Sequence, residues 1–339
     1  MITISLCMIV KNEERVLKRC LDSVANLVDE LIIVDTGSTD ATMEIAASYP
    51  KAKVYEFAWI NDFAAARNFA FSKATQEYIY SADADEVLDK ENHERFKVLK
   101  QVLLPEVEIV QMKYGNQLRF GTVYNYDEEY RPKLFKRLRT FEWEEAIHET
   151  IRTTPVIFDS DIVITHMPEG SHAGRDFAAF ECLTANGERL SKRLHNMYAK
   201  ELFITGTDED FVQAGAFFEE SASDTDRTSE EVKEACLVAA AAANRAGDVK
   251  KFFKYAMKVI ADNGCAEICC ELGDFYMAEK DWQEAAIWYY NACYETQAIL
   301  TLKSQGTETL KKLAVCYEKM GLPEEAALYR SQADELSRV

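Results

Sequence analysis

Tyr78-Ile79-Tyr80-Ser81, followed by Ala82-Asp83-Ala84-Asp85-Glu86, is the stretch on which the reading of this chain turns. An apolar strand runs straight into two carboxylates, Asp83 and Asp85, spaced so that both can face one side of an extended segment. Such a pair holds a divalent cation against a diphosphate, which points to a nucleotide-sugar site. The alternative is an acidic turn capping the next helix, so the surrounding sequence has to decide.

Outward from this stretch, strand-like runs at Ile4 to Val10, Glu30 to Asp35, Lys53 to Phe57 and Tyr78 to Ser81 alternate with helical runs from Glu14, Ala41 and Phe63. Asn12, Asp40 and Asn61 are the capping candidates for those helices. Alternation of this kind predicts a mostly parallel sheet with helices on both faces. Ligands then collect at the carboxyl ends of the strands, where Lys11-Asn12-Glu13, Asp35-Thr36-Gly37-Ser38 and Asp83-Ala84-Asp85 all fall. Gly37 is the single glycine before residue 115. No GxGxxG and no GxxxxGK[ST] can therefore be written, and backbone amides in those loops are not the phosphate cradle. A metal held by Asp83 and Asp85 is the remaining device.

A chain of 339 residues exceeds one ordinary domain. From about residue 181 strand signals vanish, and Ala, Glu, Leu, Tyr and Phe recur at helical spacing. Gly273-Asp274-Phe275-Tyr276 through Ala286 and Ala314-Val315-Cys316-Tyr317 through Ala327 can be laid over each other, with a third unit around Gly247 to Phe253. The first two units in chain order repeat at about 33 residues, and the later pair is offset by about 41, which calls for an insertion. A plain helical bundle is the alternative. The net charge of -19 argues against a nucleic-acid partner. The opening apolar run MITISLCMIV meets Lys11 too early for a signal or a membrane span. Nine scattered cysteines fit a reducing, cytoplasmic setting, and Cys265, Cys269 and Cys270 lack zinc-site spacing and read as buried thiols.

Ser5-Leu6-Cys7-Met8-Ile9-Val10-Lys11-Asn12-Glu13-Glu14, then Asp35-Thr36-Gly37-Ser38-Thr39-Asp40, then Asp83-Ala84-Asp85, resemble in that order the family 2 glycosyltransferases of the GT-A fold. Trp59-Ile60-Asn61-Asp62-Phe63-Ala64-Ala65-Ala66-Arg67-Asn68 is similar to a bacterial subgroup that often carries C-terminal tetratricopeptide repeats and includes peptide and flagellin glycosyltransferases. The resemblance is dense over residues 4–86 and sparser to 166. It implies a Rossmann-like, mostly parallel α/β GT-A catalytic domain over residues 1–180 and an all-α tetratricopeptide-like domain over 181–339. It also implies a Mn²⁺- or Mg²⁺-dependent, inverting glycosyl transfer; substrate assignment does not come with it, and the expectation is a UDP-sugar, UDP-glucose or UDP-N-acetylglucosamine, as donor and a protein or peptide side chain as acceptor.

Site residues follow from the same resemblance. Asp35 looks like the acceptor of the uracil N–H, with a turn-forming Asp as the alternative. Val10, Asn12 and Glu13 look like the floor and ribose contacts, and Arg67 like a nucleotide or diphosphate ligand, the alternative being a helix-surface ion pair. Asp83 and Ala84 belong to the nucleotide-sugar contacts, while Asp83, Asp85 and His166 form the metal set, with a core histidine as the other reading of His166 and His172 as a substitute. Trp143-Glu144-Glu145-Ala146-Ile147-His148-Glu149 resembles the His-Glu motif of the subgroup. Glu149 is the general-base candidate, beside His148 and Glu145 and with Asp159 behind them. The Glu-Asp dyad of many family 2 enzymes is lacking at this point. Trp59 reads as packing. The repeats suit a protein acceptor and leave room for a homodimer; a polysaccharide or lipid-linked acceptor and a catalytically silent binding scaffold are the competing readings.

Overall fold

A computed structural model of the protein describes residues 1–115, 129–139, 143–144, 150–151, 155–167, 173–185, 187 and 189–337. They form two compact units, Met1–His172 and Ala173–Val339. The helix Ala173–Ala185 lies with the second unit, somewhat ahead of the boundary near residue 180 expected from sequence.

In the first unit the strands are β1 (Ile4–Val10), β2 (Glu30–Asp35), β3 (Ala52–Glu56), β4 (Tyr78–Ser81), β5 (Glu86–Val87), β6 (Ile109–Gly115), β7 (Glu129–Lys136), β8 (Trp143–Glu144), β9 (Thr150–Ile151) and β10 (Ile157–His166). The helices are α1 (Leu17–Val24), α2 (Thr42–Ala47), α3 (Phe63–Lys73) and α4 (Lys90–Val102). Eight strands form one sheet in the order β3-β2-β1-β4-β7-β6-β10-β5, and β8 pairs with β9. β1 is parallel to β2 and β4, β2 to β3, and β6 to β10; β7 is antiparallel to β4 and β6, and β5 to β10. Only β7 and β5 therefore run against the common direction. The carboxyl ends of β1, β2, β4, β6 and β10 meet along one edge of the sheet.

β1 and β2 are apolar runs buried on both faces, as a covered parallel sheet requires. Alternation along them feeds two cores. Leu6, Met8 and Ile33 pack with Leu17, Leu21 and Phe96 on one side, while Cys7, Ile32 and Val34 pack with Ala70, Phe71 and Phe135 on the other.

Two of the capping candidates behave differently from expectation. Asn12 and Asn61 sit in the left-handed region at φ 56° and 59°, a conformation that Asn tolerates better than most residues. The cap of α3 is Asp62, whose side chain accepts from the Ala65 N–H. Asp40 accepts from the Thr42 N–H at the start of α2, and its other oxygen accepts from the Glu14 N–H. Gly37 at φ 106° has open space around it, so conformation rather than crowding requires glycine in that turn.

The second unit holds nine α-helices among its described residues: α5 (Ala173–Ala185), α6 (Lys192–Thr205), α7 (Asp208–Ser221), α8 (Ser229–Arg245), α9 (Val249–Ala261), α10 (Ala266–Ala278), α11 (Trp282–Tyr290), α12 (Thr307–Lys319) and α13 (Pro323–Leu336). α8–α9, α10–α11 and α12–α13 are the three hairpins expected from the repeats, turning at Gly247, Lys280 and Gly321. The insertion is residues 291–306, with a π-helical turn at Asn291–Glu295 and a 3-10 turn at Leu302–Gln305. It is fastened by Glu267, fully buried on α10, whose carboxylate accepts from the N–H groups of Ile299, Leu300 and Thr301 at 2.7–3.2 Å. Cys265 and Cys269 are buried, and burial pushes the Cys269 thiol up to about 11. No described helix is long and apolar enough to cross a membrane.

Candidate functional site

The polar loops that follow β1 and β2 are stitched to each other. The Asn12 N–H donates to Ser38 Oγ at 2.9 Å, and the Thr39 N–H donates to Asn12 Oδ1 at 2.8 Å. The Glu13 N–H donates to Thr42 Oγ1 at 2.7 Å, and the Val10 carbonyl accepts from both the N–H and the hydroxyl of Thr36. Val10 and Asp35 face each other in the β1–β2 register, so their loops leave the sheet side by side. Asp35 is buried, and its carboxylate accepts from the N–H groups of Gly37 and Ser38 at 3.0–3.2 Å. It thus organises its own turn, and a carboxylate offers about four lone-pair sites, which leaves room for one more donor.

Beyond β4 the chain passes through Asp83-Ala84-Asp85 into β5. The first carboxylate is held by cations. Arg67, on α3, donates from Nη1 to Ser81 Oγ at 3.1 Å and from Nη2 to Asp83 Oδ1 at 2.9 Å. Lys133 Nζ stands 3.9 Å from Asp83 Oδ2. Burial favours the neutral form of Asp83, but Arg67 and Lys133 outweigh it and hold the carboxyl well below the usual range. The Asp83 side chain keeps 36% of its surface exposed and so remains open to a ligand. Ala84, between the two carboxylates in sequence, is buried.

The second carboxylate lies against the end of β10. Glu86 pairs with His166 in the β5–β10 register, and the Met167 N–H donates to the Asp85 carbonyl at 2.9 Å. This brings His166 Nε2 to 3.0 Å from Asp85 Oδ2. The His166 ring also lies 5.3 Å from that of Tyr114. Asp85 and His166 together present one oxygen and one nitrogen donor, a set that Mn²⁺ accepts readily and Mg²⁺ through its oxygen. Among the described residues no three His, Cys, Asp or Glu side chains are placed to hold a metal ion together, so further ligands would come from substrate and water.

Behind both carboxylates is a residue that the sequence did not mark. Lys133, on β7, is 6% exposed and makes an ion pair with Glu86, itself 2% exposed. Burial pushes the Glu86 carboxyl up to about 7 against the pull of Lys133. Arg131 covers the Tyr114 ring at 4.0 Å from the same strand. Nothing in the motif around Lys133 announces this. It depends on β7 being inserted in reverse between β4 and β6, a pairing known only from the fold.

Trp143 packs against Phe71 and Phe135 and lies 5.0 Å from the Arg67 guanidinium. Trp59 packs on Phe63 at 4.7 Å. Asp159 is exposed at the start of β10, while His166 is its last residue. At about 3.3 Å per strand residue that puts Asp159 roughly 20 Å from the site, too far to serve as its base. Glu145, His148, Glu149 and His172 lie outside the described residues.

Comparison with known proteins places residues 5–163 in the family model described as Glycosyl transferase family 2. A TPR repeat-containing protein of Synechococcus elongatus is 51% identical over 88 residues, covering 26% of this chain and 22% of that one. The SPbeta prophage-derived glycosyltransferase SunS of Bacillus subtilis is 39% identical over 102 residues, covering 30% of this chain and 24% of that one. The chain thus matches about a quarter of the length of these relatives. A crystal structure of glucosyl-3-phosphoglycerate synthase from Mycobacterium tuberculosis in complex with Mn²⁺, UDP and glucosyl-3-phosphoglycerate aligns with a TM-score of 0.39 at 15% identity, over 56% of this chain and 82% of that one.

Proposed function

We propose that the first unit, a family 2 glycosyltransferase domain, catalyses inverting, metal-dependent transfer of a sugar from a UDP-sugar to a protein or peptide side chain. The observation that carries this reading is the meeting, on one sheet edge, of the Arg67–Asp83 pair, the Asp85–His166 pair and the Asn12–Asp35 turn. Each supplies a different need of a nucleotide-sugar.

Asp35 accepts the uracil N–H, with the β1 end from Val10 to Glu13 forming the floor beside it. Arg67 and Lys133 fix Asp83 and contribute positive charge where the diphosphate would lie. Asp85 and His166 are the residues that would hold a Mn²⁺ or Mg²⁺ ion, with Asp83 facing the same ligand. Bound there, such an ion would supply charge neutralisation of the diphosphate and Lewis acidity toward the departing UDP. Glu149 takes the proton from the attacking acceptor group. The three hairpins of the second unit offer stacked helical surfaces of the kind that bind extended peptide, which supports a protein or peptide acceptor; UDP-glucose and UDP-N-acetylglucosamine are the donors to try first.

The test is a panel of UDP-, GDP- and dTDP-sugars incubated with the protein and Mn²⁺ or Mg²⁺, with slow hydrolysis of the donor as the readout. One UDP-sugar should be turned over in preference. Failure of every donor to bind or hydrolyse would overturn the reading.

A further inference from the structure

Arg67 and Asn68 are neighbours on α3, and both engage Trp143. Asn68 Nδ2 donates to the Trp143 carbonyl at 2.9 Å, and the Trp143 N–H donates to Asn68 Oδ1 at 2.7 Å. A primary amide here reproduces the two bonds that one strand residue exchanges with another in an antiparallel ladder. The backbone of Trp143 is clamped as firmly as if it lay beside a further strand.

The ring is placed by that clamp and by packing. It meets Phe71 edge-on at 5.7 Å and Phe135 at 5.8 Å. Its Nε1 is buried and makes no hydrogen bond, so no polar contact of the indole sets the orientation. What the ring faces is the guanidinium of Arg67, 5.0 Å from its centroid, a cation–π distance. Arg67 is 13% exposed and spends its two terminal nitrogens on Ser81 and Asp83. A guanidinium with a stacked cover and two directed bonds has few rotamers left.

We propose that Asn68 and Trp143 are positioning residues: Asn68 clamps Trp143, Trp143 covers Arg67, and Arg67 thereby holds Asp83 in place for the donor. The strut accounts for the asparagine directly after the arginine. It also anchors β8, the strand from which the chain continues to Glu145, His148 and Glu149. The consequence for the donor rests on the glycosyltransferase reading above. The mechanical linkage does not.

The two are separated by measuring both on the full chain. Hydrogen exchange of the ligand-free protein reads the linkage. Asn68→Ala should speed exchange at the Trp143 amide by about tenfold, since its acceptor is gone, and should also speed exchange between Ala82 and Glu86, which Asn68 does not touch. Calorimetry reads the consequence: the affinity for UDP with Mn²⁺ should fall about tenfold, while that for uridine, which carries no diphosphate, should hold. A merely structural asparagine would lower the melting temperature and leave the ratio of the two affinities unchanged. Asn68→Asp keeps the acceptor for the Trp143 N–H and sets an oxygen against the Trp143 carbonyl, so it should give the same pattern in milder form and carries the test should the alanine variant fail to fold. A faster Trp143 amide with unaltered exchange at residues 82–86 and unaltered UDP affinity would overturn the proposal. If the unmodified chain binds neither uridine nor UDP, the donor reading falls, and the exchange comparison alone decides the strut.

Discussion

Replacing Lys133 by Met tests whether the site is held together by one buried lysine. Met matches the length and volume of the side chain, so the change removes charge without opening a large cavity. Lys133 and Glu86 are 6% and 2% exposed, and Glu86 Oε2 is already without a hydrogen-bond partner. The variant therefore strands a buried carboxylate and leaves Asp83 with Arg67 as its nearer cation. Removing one member of a buried pair costs about 3–5 kcal/mol. That is the cost with Glu86 kept ionised; at pH 8, one unit above its folded pKa of about 7, proton uptake caps the pH-dependent loss at about 1.4 kcal/mol, which at roughly 2–4 °C per kcal/mol for a unit of this size is roughly 3–6 °C. The loss should depend on pH with a definite sign. The Glu86 pKa is already raised to about 7, above its unfolded value, and without Lys133 it rises further. A raised carboxyl makes the folded state bind the proton more tightly, so stability is fully present below about pH 4.5 and declines as pH rises through the folded pKa. Below about pH 7 Glu86 is protonated in both folded proteins, so the gap between variant and parent should accordingly be small at pH 5 and open as the pH rises through about 7. Scanning calorimetry at both pH values, with Lys133→Met/Glu86→Gln alongside, measures it. The second substitution removes the stranded charge and should recover most of the lost temperature at pH 8. An equal loss at pH 5 and pH 8, or no recovery in the double variant, would refute the argument.

Asp85→Ala and His166→Ala should each abolish Mn²⁺-dependent UDP binding in calorimetry while the fold persists by circular dichroism; hydrolysis that continues unchanged in EDTA would remove the metal from the reading. UDP should bind more tightly than CDP, because the Asp35 carboxylate can accept the uracil N–H and cytosine offers no proton at that ring nitrogen. Glu149→Gln should lower turnover by about a hundredfold to ten-thousandfold with UDP affinity unchanged, and if Glu145→Gln is the inactive variant instead, the base has been assigned too late in the sequence. In the second unit, Gly273→Ala should cost about 1–3 kcal/mol by thermal unfolding, since a Cβ there would come within 2.6 Å of the buried Tyr289 ring.

Local sequence was sufficient for the elements whose signal is local. β1, β2 and β4 have the bounds that their apolar runs mark, because a strand covered on both faces is apolar throughout and polar residues punctuate its ends. The helical hairpins and the insertion between the last two were legible for the same reason, since each repeat carries its own turn. Capping was misread at Asn12 and Asn61. A polar residue before a helix reads as a cap, whereas here both adopt positive φ and, in the case of Asn12, the side chain crosses to Thr39 in the neighbouring loop.

The list of chemical groups and the sheet edge that receives them are legible in the amino-acid pattern: Asp35, Arg67, Asp83 and Asp85 all sit at or beside strand ends marked there. Which group touches which was decided by tertiary structure. Asp85 meets His166, 81 residues away, because β5 pairs antiparallel with the end of β10. Asp83 instead meets Arg67 and Lys133 because α3 packs beside β1 and β2, and β7 enters the sheet in reverse next to β4. Neighbouring carboxylates in a chain share no obligation to share partners. Extended backbone separates them, and strand pairing, a long-range choice made by the burial of both sheet faces, assigns each its own counterpart.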